Sequence, residues 1–249
     1  MIQTQRLLMF FFLIANLGAK GQVGIGPGTP ASSAQLDVSS TSKGFLPPRM
    51  TTAQRDLIGT PDAGLTIYNT TSKAFECYNG TAWYSTVHYI GENYGGGIVF
   101  YVYDNGQHGL IAPATDNSTG VQWYNGTYRV TGTAGDGVNA GAANTALVIA
   151  TQLADNQTGN FAAKVCAAYT VTAGGLTYSD WYLPSKQELM LLILQKNLVG
   201  GFGSGGNGYW SSTEASSGYA GCQNSSTFPG SVSDCQKQSI YFVRAVRSF

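Results

Sequence analysis

The sequence predicts an α+β protein: a strand-rich leader followed by one domain of strands and helices. Three observations carry that prediction. Residues 95–115 alternate apolar side chains on both sides of an Asp104-Asn105-Gly106 turn, the period-two pattern of a hairpin. Residues 185–196 are an apolar helical run that opens with Ser185 and Glu188, spaced so that each side chain satisfies an orphan donor of the first turn. The chain ends on SIYFVRAVRSF at 239–249, which alternates as a strand does, with Ile240, Phe242, Arg244, Val246 and Ser248 on one face.

The elements can be justified in chain order. Arg6 precedes an apolar run, LLMFFFLIANL at 7–17, that is too short to cross a bilayer. Ala19-Lys20-Gly21 then places small residues where a signal peptidase reads. Residues 1–21 are therefore expected to be a signal peptide, and the mature chain to be secreted or held at the outer cell surface. Residues 22–87 are rich in Gly, Pro and Ser, and Pro47-Pro48 forbids helix there. A short helix is expected within 50–58, capped by Thr51 or Thr52. Residues 64–87 alternate around an Asn-Thr-Thr turn and an Asn79-Gly80 turn, which reads as a hairpin or small meander. This stalk-like segment has a thin core, so it must lean on the next domain or on identical copies of itself.

The domain proper spans 88–249. Two strands are expected within 95–115, the first carried by Ile98 to Tyr103 and the second by His108 to Ala112, then a loop over 116–143, helices over 144–156 and 160–170, and the capped helix from Ser185 to Lys196. Gly200-Gly201 ends that helix, a Gly-rich loop comes next, and YWSST at 209–213 returns as a strand.

Composition narrows the function classes. Only 10% of residues are charged and the formal net charge is zero, so no global field draws nucleic acid to this chain. Removing residues 1–21 takes away Arg6 and Lys20 and leaves 11 basic against 13 acidic residues. Export permits disulfides. Cys222 and Cys235 flank Pro229-Gly230 and are the expected bridge; Cys166, in the apolar FAAKVCAAY, reads as a buried thiol, and Cys77 stands alone. No Cys-x-x-Cys occurs, so a zinc knuckle is unsupported. The two histidines, His88 and His108, lie outside any Gly-x-Ser-x-Gly setting, and Asp104, Asn105, Asp116, Asn117 and Asp136 read as turn residues rather than calcium ligands. No cofactor, metal or catalytic set is expected.

WYLPSKQEL at 181–189, YWSSTE at 209–214 and VRAVR at 243–247 resemble the C-terminal domain of collagen-like Legionella adhesins. That domain also occurs in exported Bacteroidetes proteins without assigned function, and it resembles the Fibrobacter major paralogous domain. The resemblance covers about residues 90–249. VGIG at 23–26 and GFLPPRMTTAQRD at 44–56 resemble leaders found before such domains and in fibre-like proteins. The resemblance implies a C-type-lectin-like α+β fold, with a twisted antiparallel sheet, two to three helices and long loops on one side. In the adhesin this domain binds sulfated polysaccharides and trimerises. The present chain departs from it in its slightly acidic mature charge and in lacking a Gly-x-y stalk.

Within that frame Trp181 and Trp210 are expected to pack in the core, and Arg244 to form a buried ion pair with Glu188 or Glu214. The expected ligand surface is loop-borne: Trp123, Tyr124, Asn125, Tyr128, Asn207 and Tyr209, whose flat rings and amides suit a glycan or a cell-surface protein. Two functions are consistent with these readings. The first is an exported, non-enzymatic binding or adhesion module. The alternative is a structural fibre or tip component that assembles as a homotrimer through residues 22–87.

Overall fold

Strands dominate the chain, with helices inserted between them, so the protein is α+β. The computed structural model describes residues 21–26, 28–154, 158–203, 208–225 and 232–249; the expected signal peptide lies outside them except for Gly21. The chain forms two compact units, Met1–Arg49 and Met50–Phe249.

In the first unit two short strands, Val23–Ile25 and Leu36–Val38, pair in parallel with Val23 opposite Leu36. Polar side chains, not a core, tie this unit together. Gln22 Nε2 reaches the carbonyls of Ala31, Ser32 and Ala34, the last at 3.0 Å, and Asp37 accepts from the Ala31 N–H at 2.8 Å. Among its described residues only Pro47 is buried. Val23, Ile25, Leu36, Val38, Phe45 and Leu46 are all exposed, the last two at 64% and 72%.

The second unit begins with a short helix, Thr52–Arg55, opened by a capping box between Thr51 and Gln54. An antiparallel meander comes next, Thr66–Asn69, Ala74–Tyr78 and Trp83–Ser85, with Tyr68 opposite Phe75 and Tyr78 opposite Trp83. A carboxylate occupies its interior. Glu76, 3% exposed, accepts from Asn69 Nδ2 and Ser72 Oγ at 2.9 Å each and from Arg55 Nη1 at 2.7 Å. Sequence texture changes at 87, but the compact unit begins at Met50, so the meander belongs to the same unit as residues 88–249.

Two antiparallel-rich sheets build the rest. The four-stranded sheet joins Asn93–Tyr94, Gly97–Tyr103 and His108–Ala112 to the closing strand Arg247–Ser248. Asp104, Asn105 and Gly106 take positive φ at its hairpin turn, where short polar residues and Gly tolerate the left-handed region. The five-stranded sheet runs in the order Ser118–Val121, Tyr241–Val243, Gly208–Glu214, Tyr219–Asn224, Ser233–Gln236. The expected single strand over 239–249 is thus two strands in two sheets. Residues 244–246 cross between them because Arg244 is anchored by polar partners and Val246 pairs with Tyr182 instead, N–H to carbonyl both ways at 2.9 Å.

Helices Ala140–Leu153, Ala162–Ala167 and Lys186–Leu194 pack on these sheets. The first starts earlier than its apolar spacing indicates, because its opening turn is Ala- and Gly-rich and carries no periodic signal. Ser185 caps the third through the Ser185–Glu188 box, and Gly200 at positive φ ends the short turn Lys196–Val199 behind it. Val99, Ile111, Trp123, Val148, Phe161, Trp181, Leu183 and Trp210 share one core.

Candidate functional site

The loop aromatics expected at the surface are mostly inside. Trp123 is fully buried: its indole N–H donates to the Ser211 carbonyl at 2.8 Å, and Lys237 Nζ stands 4.4 Å over its ring. Tyr124 is buried against Tyr128, ring centres 4.8 Å apart. Tyr209 is buried between Phe202 and Phe242, at 5.3 and 5.2 Å, and its hydroxyl donates to Asp116 at 2.8 Å. These positions correct the expectation of exposure. The loop over 116–143 folds inward, and its largest rings supply core area that the polar neighbours conceal in the sequence. Asn125 is half-buried and bonds through both its N–H and its side chain to Gln152. Tyr128 stays exposed, with its hydroxyl 2.9 Å from Gln238 Oε1. Asn207 lies outside the described residues.

Three buried carboxylates each pin a loop. Asp116, not Glu188 or Glu214, is the partner of Arg244: its Oδ1 lies 2.7 Å from Arg244 Nη2 and its Oδ2 accepts from the Gly203 N–H at 3.0 Å. Sequence reading missed Asp116 because Asp in an Asp-Asn-Ser stretch looks like turn chemistry. Glu214 pairs with buried Lys237 at 2.5 Å and accepts from the N–H groups of Thr131 and Gly132 at 2.8 and 3.0 Å. Burial pushes the Lys237 ammonium below its usual range, partly offset by Glu214. Glu188 accepts from the Asn139 and Ser185 N–H groups at 2.8 Å and from the Tyr182 hydroxyl at 3.0 Å. Burial raises its pKa, opposed by those hydrogen bonds. Each network positions backbone: Asp116 holds Gly203, Glu214 holds Thr131 and Gly132, and Glu188 holds Asn139 and Ser185.

Trp181 and Trp210 are buried, with their indole N–H groups on the carbonyls of Tyr178 and Val121 at 3.2 and 2.9 Å. Cys222 and Cys235 form a disulfide across the adjacent strands Tyr219–Asn224 and Ser233–Gln236. Cys166 is a buried thiol and Cys77 an exposed one. Among the described residues no group of three or more His, Cys, Asp or Glu could hold a metal ion, and no helix is long and apolar enough to cross a membrane.

One surface feature was not visible in the sequence. A groove of about 610 Å³ opens between the strand Trp83–Ser85, the turn Gly95-Gly96-Gly97 and the hairpin Val171–Tyr178. His88, Glu92 and Tyr94 line it: the His88 ring lies 3.8 Å from Tyr94, and His88 Nδ1 lies 2.9 Å from Glu92 Oε2. Gly96, at φ +86°, has no room for a side chain, since a methyl group there would overlap Val171. The run of Trp and Tyr from 83 to 94 closed by three glycines is the signal that could have marked this place.

Residues 24–107 match a family model described as a phage tail like trimerisation region. The match covers about a third of the chain and runs from the first compact unit into the second. No curated protein matches the chain.

Proposed function

We propose that this protein is a structural component of an exported fibre or tip, assembled as a homotrimer through its N-terminal region. The match of residues 24–107 to a phage tail like trimerisation region carries the reading. The exposed apolar side chains of the first unit support it. Val23, Ile25, Leu36, Val38, Phe45 and Leu46 lie on a segment with almost nothing buried, and apolar surface left open on a monomer marks an interaction surface. Identical copies arranged around an axis would cover it on every chain at once.

In this reading the rest of the second unit is the head. Its motifs at 181–189, 209–214 and 243–247 resemble the adhesin C-terminal domains, and a C-type-lectin-like fold is the proposal for it. The pairing of the last strand, Arg247–Ser248, with the early strand His108–Ala112 is compatible with that fold. Three of the six loop residues expected to carry the adhesive role, Trp123, Tyr124 and Tyr209, are buried, while Tyr128 is exposed. The fibre reading therefore leads.

Amine cross-linking of the full chain tests it. Lys43 lies within the apolar segment, and Lys73 lies within the matched residues 24–107. Bands for two and three chains, with the series stopping at three, are expected. A single-chain band at all cross-linker doses would refute the proposal.

A further inference from the structure

We propose that the groove between Trp83–Ser85, Gly95–Gly97 and Val171–Tyr178 is a binding site for a neutral saccharide. This goes beyond the trimeric reading and does not depend on it. Its volume of about 610 Å³ lies inside the range of small-ligand sites, roughly 300–1,000 Å³.

The chemistry of the walls selects the ligand class. Trp83, Tyr84, Tyr94 and Tyr178 line the groove, and Tyr84 is 60% exposed. Flat rings of this kind present apolar faces with a polar edge, which fits the C–H face of a pyranose. Hydrogen-bonding groups stand between them with capacity to spare. Glu92 uses Oε2 for both His88 and the Tyr89 N–H, so Oε1 has no partner among the described residues and can accept from a sugar hydroxyl. Asn93 is exposed on the short strand Asn93–Tyr94, and its amide, which makes no bond among the described residues, offers a donor and an acceptor together.

Electrostatics disfavour an anionic sugar. Glu92 contributes a negative charge, and the nearby cations are engaged: Arg247 lies 4.6 Å over Tyr178 and is paired with Asp180, and Arg55 lies 5.8 Å over Trp83 and is paired with Glu76 and Asp56. A sulfate or uronate would meet a carboxylate with no free cation to offset it. The walls are also rigid. Gly96, at φ +86°, packs directly on Val171 and Tyr178, and Gly95, at φ +57°, on Ile111 and Arg247, so the turn is already held against its neighbours and little ordering is needed on binding.

Intrinsic fluorescence of the full chain provides the test, because Trp83 alone of the four tryptophans is not buried. Cellotriose, maltotriose and tri-N-acetylchitotriose are titrated as neutral probes, with dextran sulfate as the anionic one. A saturable change with at least one neutral probe is expected, at a Kd of about 0.1–1 mM. Tyr84→Ala and Asn93→Ala, both at exposed positions, should each weaken it about tenfold while leaving Tm unchanged. Three results overturn the proposal: no response to any neutral probe, a response that both substitutions leave intact, or saturable binding of dextran sulfate alone. Loss of the oligomer on Tyr84→Ala would also overturn it, since the groove would then belong to an interface between copies.

Discussion

Arg244 Nη2 lies 2.7 Å from Asp116 Oδ1, and both side chains are buried. The guanidinium also donates to the carbonyls of Pro113, Gly200 and Gly201, at 2.8, 3.1 and 2.6 Å, and lies 4.3 Å from the Phe202 ring. One side chain thus gathers the end of the strand His108–Ala112 and the Gly-rich loop behind the capped helix. Removing Asp116 leaves a buried cation without its counter-charge. Asp116→Ala is expected to lower the unfolding free energy by about 3–5 kcal/mol, read from urea denaturation. Arg244→Lys should lose most of the same stability, because a point ammonium cannot serve four acceptors in a fork. A loss below about 1 kcal/mol in both variants would show that the network is not structural.

Glu188 predicts a pH dependence. Burial raises its folded pKa above the ordinary value of 4.5. The folded state therefore holds a proton that the unfolded chain has released, and stability falls as pH rises from about 4.5 through the raised value. Below 4.5 the contribution is fully present. Urea midpoints measured from pH 4 to 7 should decline for the wild type from this group and flatten in Glu188→Gln. That variant should be less stable throughout, because an amide nitrogen replaces one of two acceptor oxygens that meet the Asn139 and Ser185 N–H groups.

The Cys222–Cys235 bridge closes a loop with a sequence separation of 13. Loop-entropy arguments put the contribution of such a bridge at about 3 kcal/mol. The double substitution to Ser should lower stability by about that amount, and a reducing agent should have the same effect on the wild type. Addition of reductant to the double variant should change nothing further.

How much of this was legible in the sequence depended on the range of the interaction. The Ser185–Glu188 box spans three residues and was readable, as was the Cys222–Cys235 bridge over a turn signal. The alternation within 95–115 gave its hairpin correctly. Trp123 was not readable, because its burial rests on Ser211 and Lys237, far away in the chain. Asp116 was masked by turn-like neighbours, and its partner Arg244 lies 128 residues away. Local pattern records the periodicity of an element. It does not record which loop that element will cover, so the buried networks and the groove both escaped it.

The first compact unit supplies a directed test of assembly. Val23, Ile25, Leu36 and Val38 are exposed on its parallel strand pair. Ile25→Asp with Val38→Asp places like charges on each copy and should abolish the trimer, since a charge buried without a partner costs several kcal/mol. The second unit should keep its unfolding free energy within about 0.5 kcal/mol, as expected for substitutions away from its core. Loss of both assembly and second-unit stability would mean that the segment supports the fold of its own chain instead.

The trimer itself is measured most directly by light scattering coupled to size exclusion, on the full chain across a hundredfold range of concentration. A mass of three chains, held down to the lowest concentration that scatters, is the expected result. A mass of one chain throughout would contradict trimerisation through residues 24–107 and leave the match to a phage tail like trimerisation region without a structural consequence in this protein.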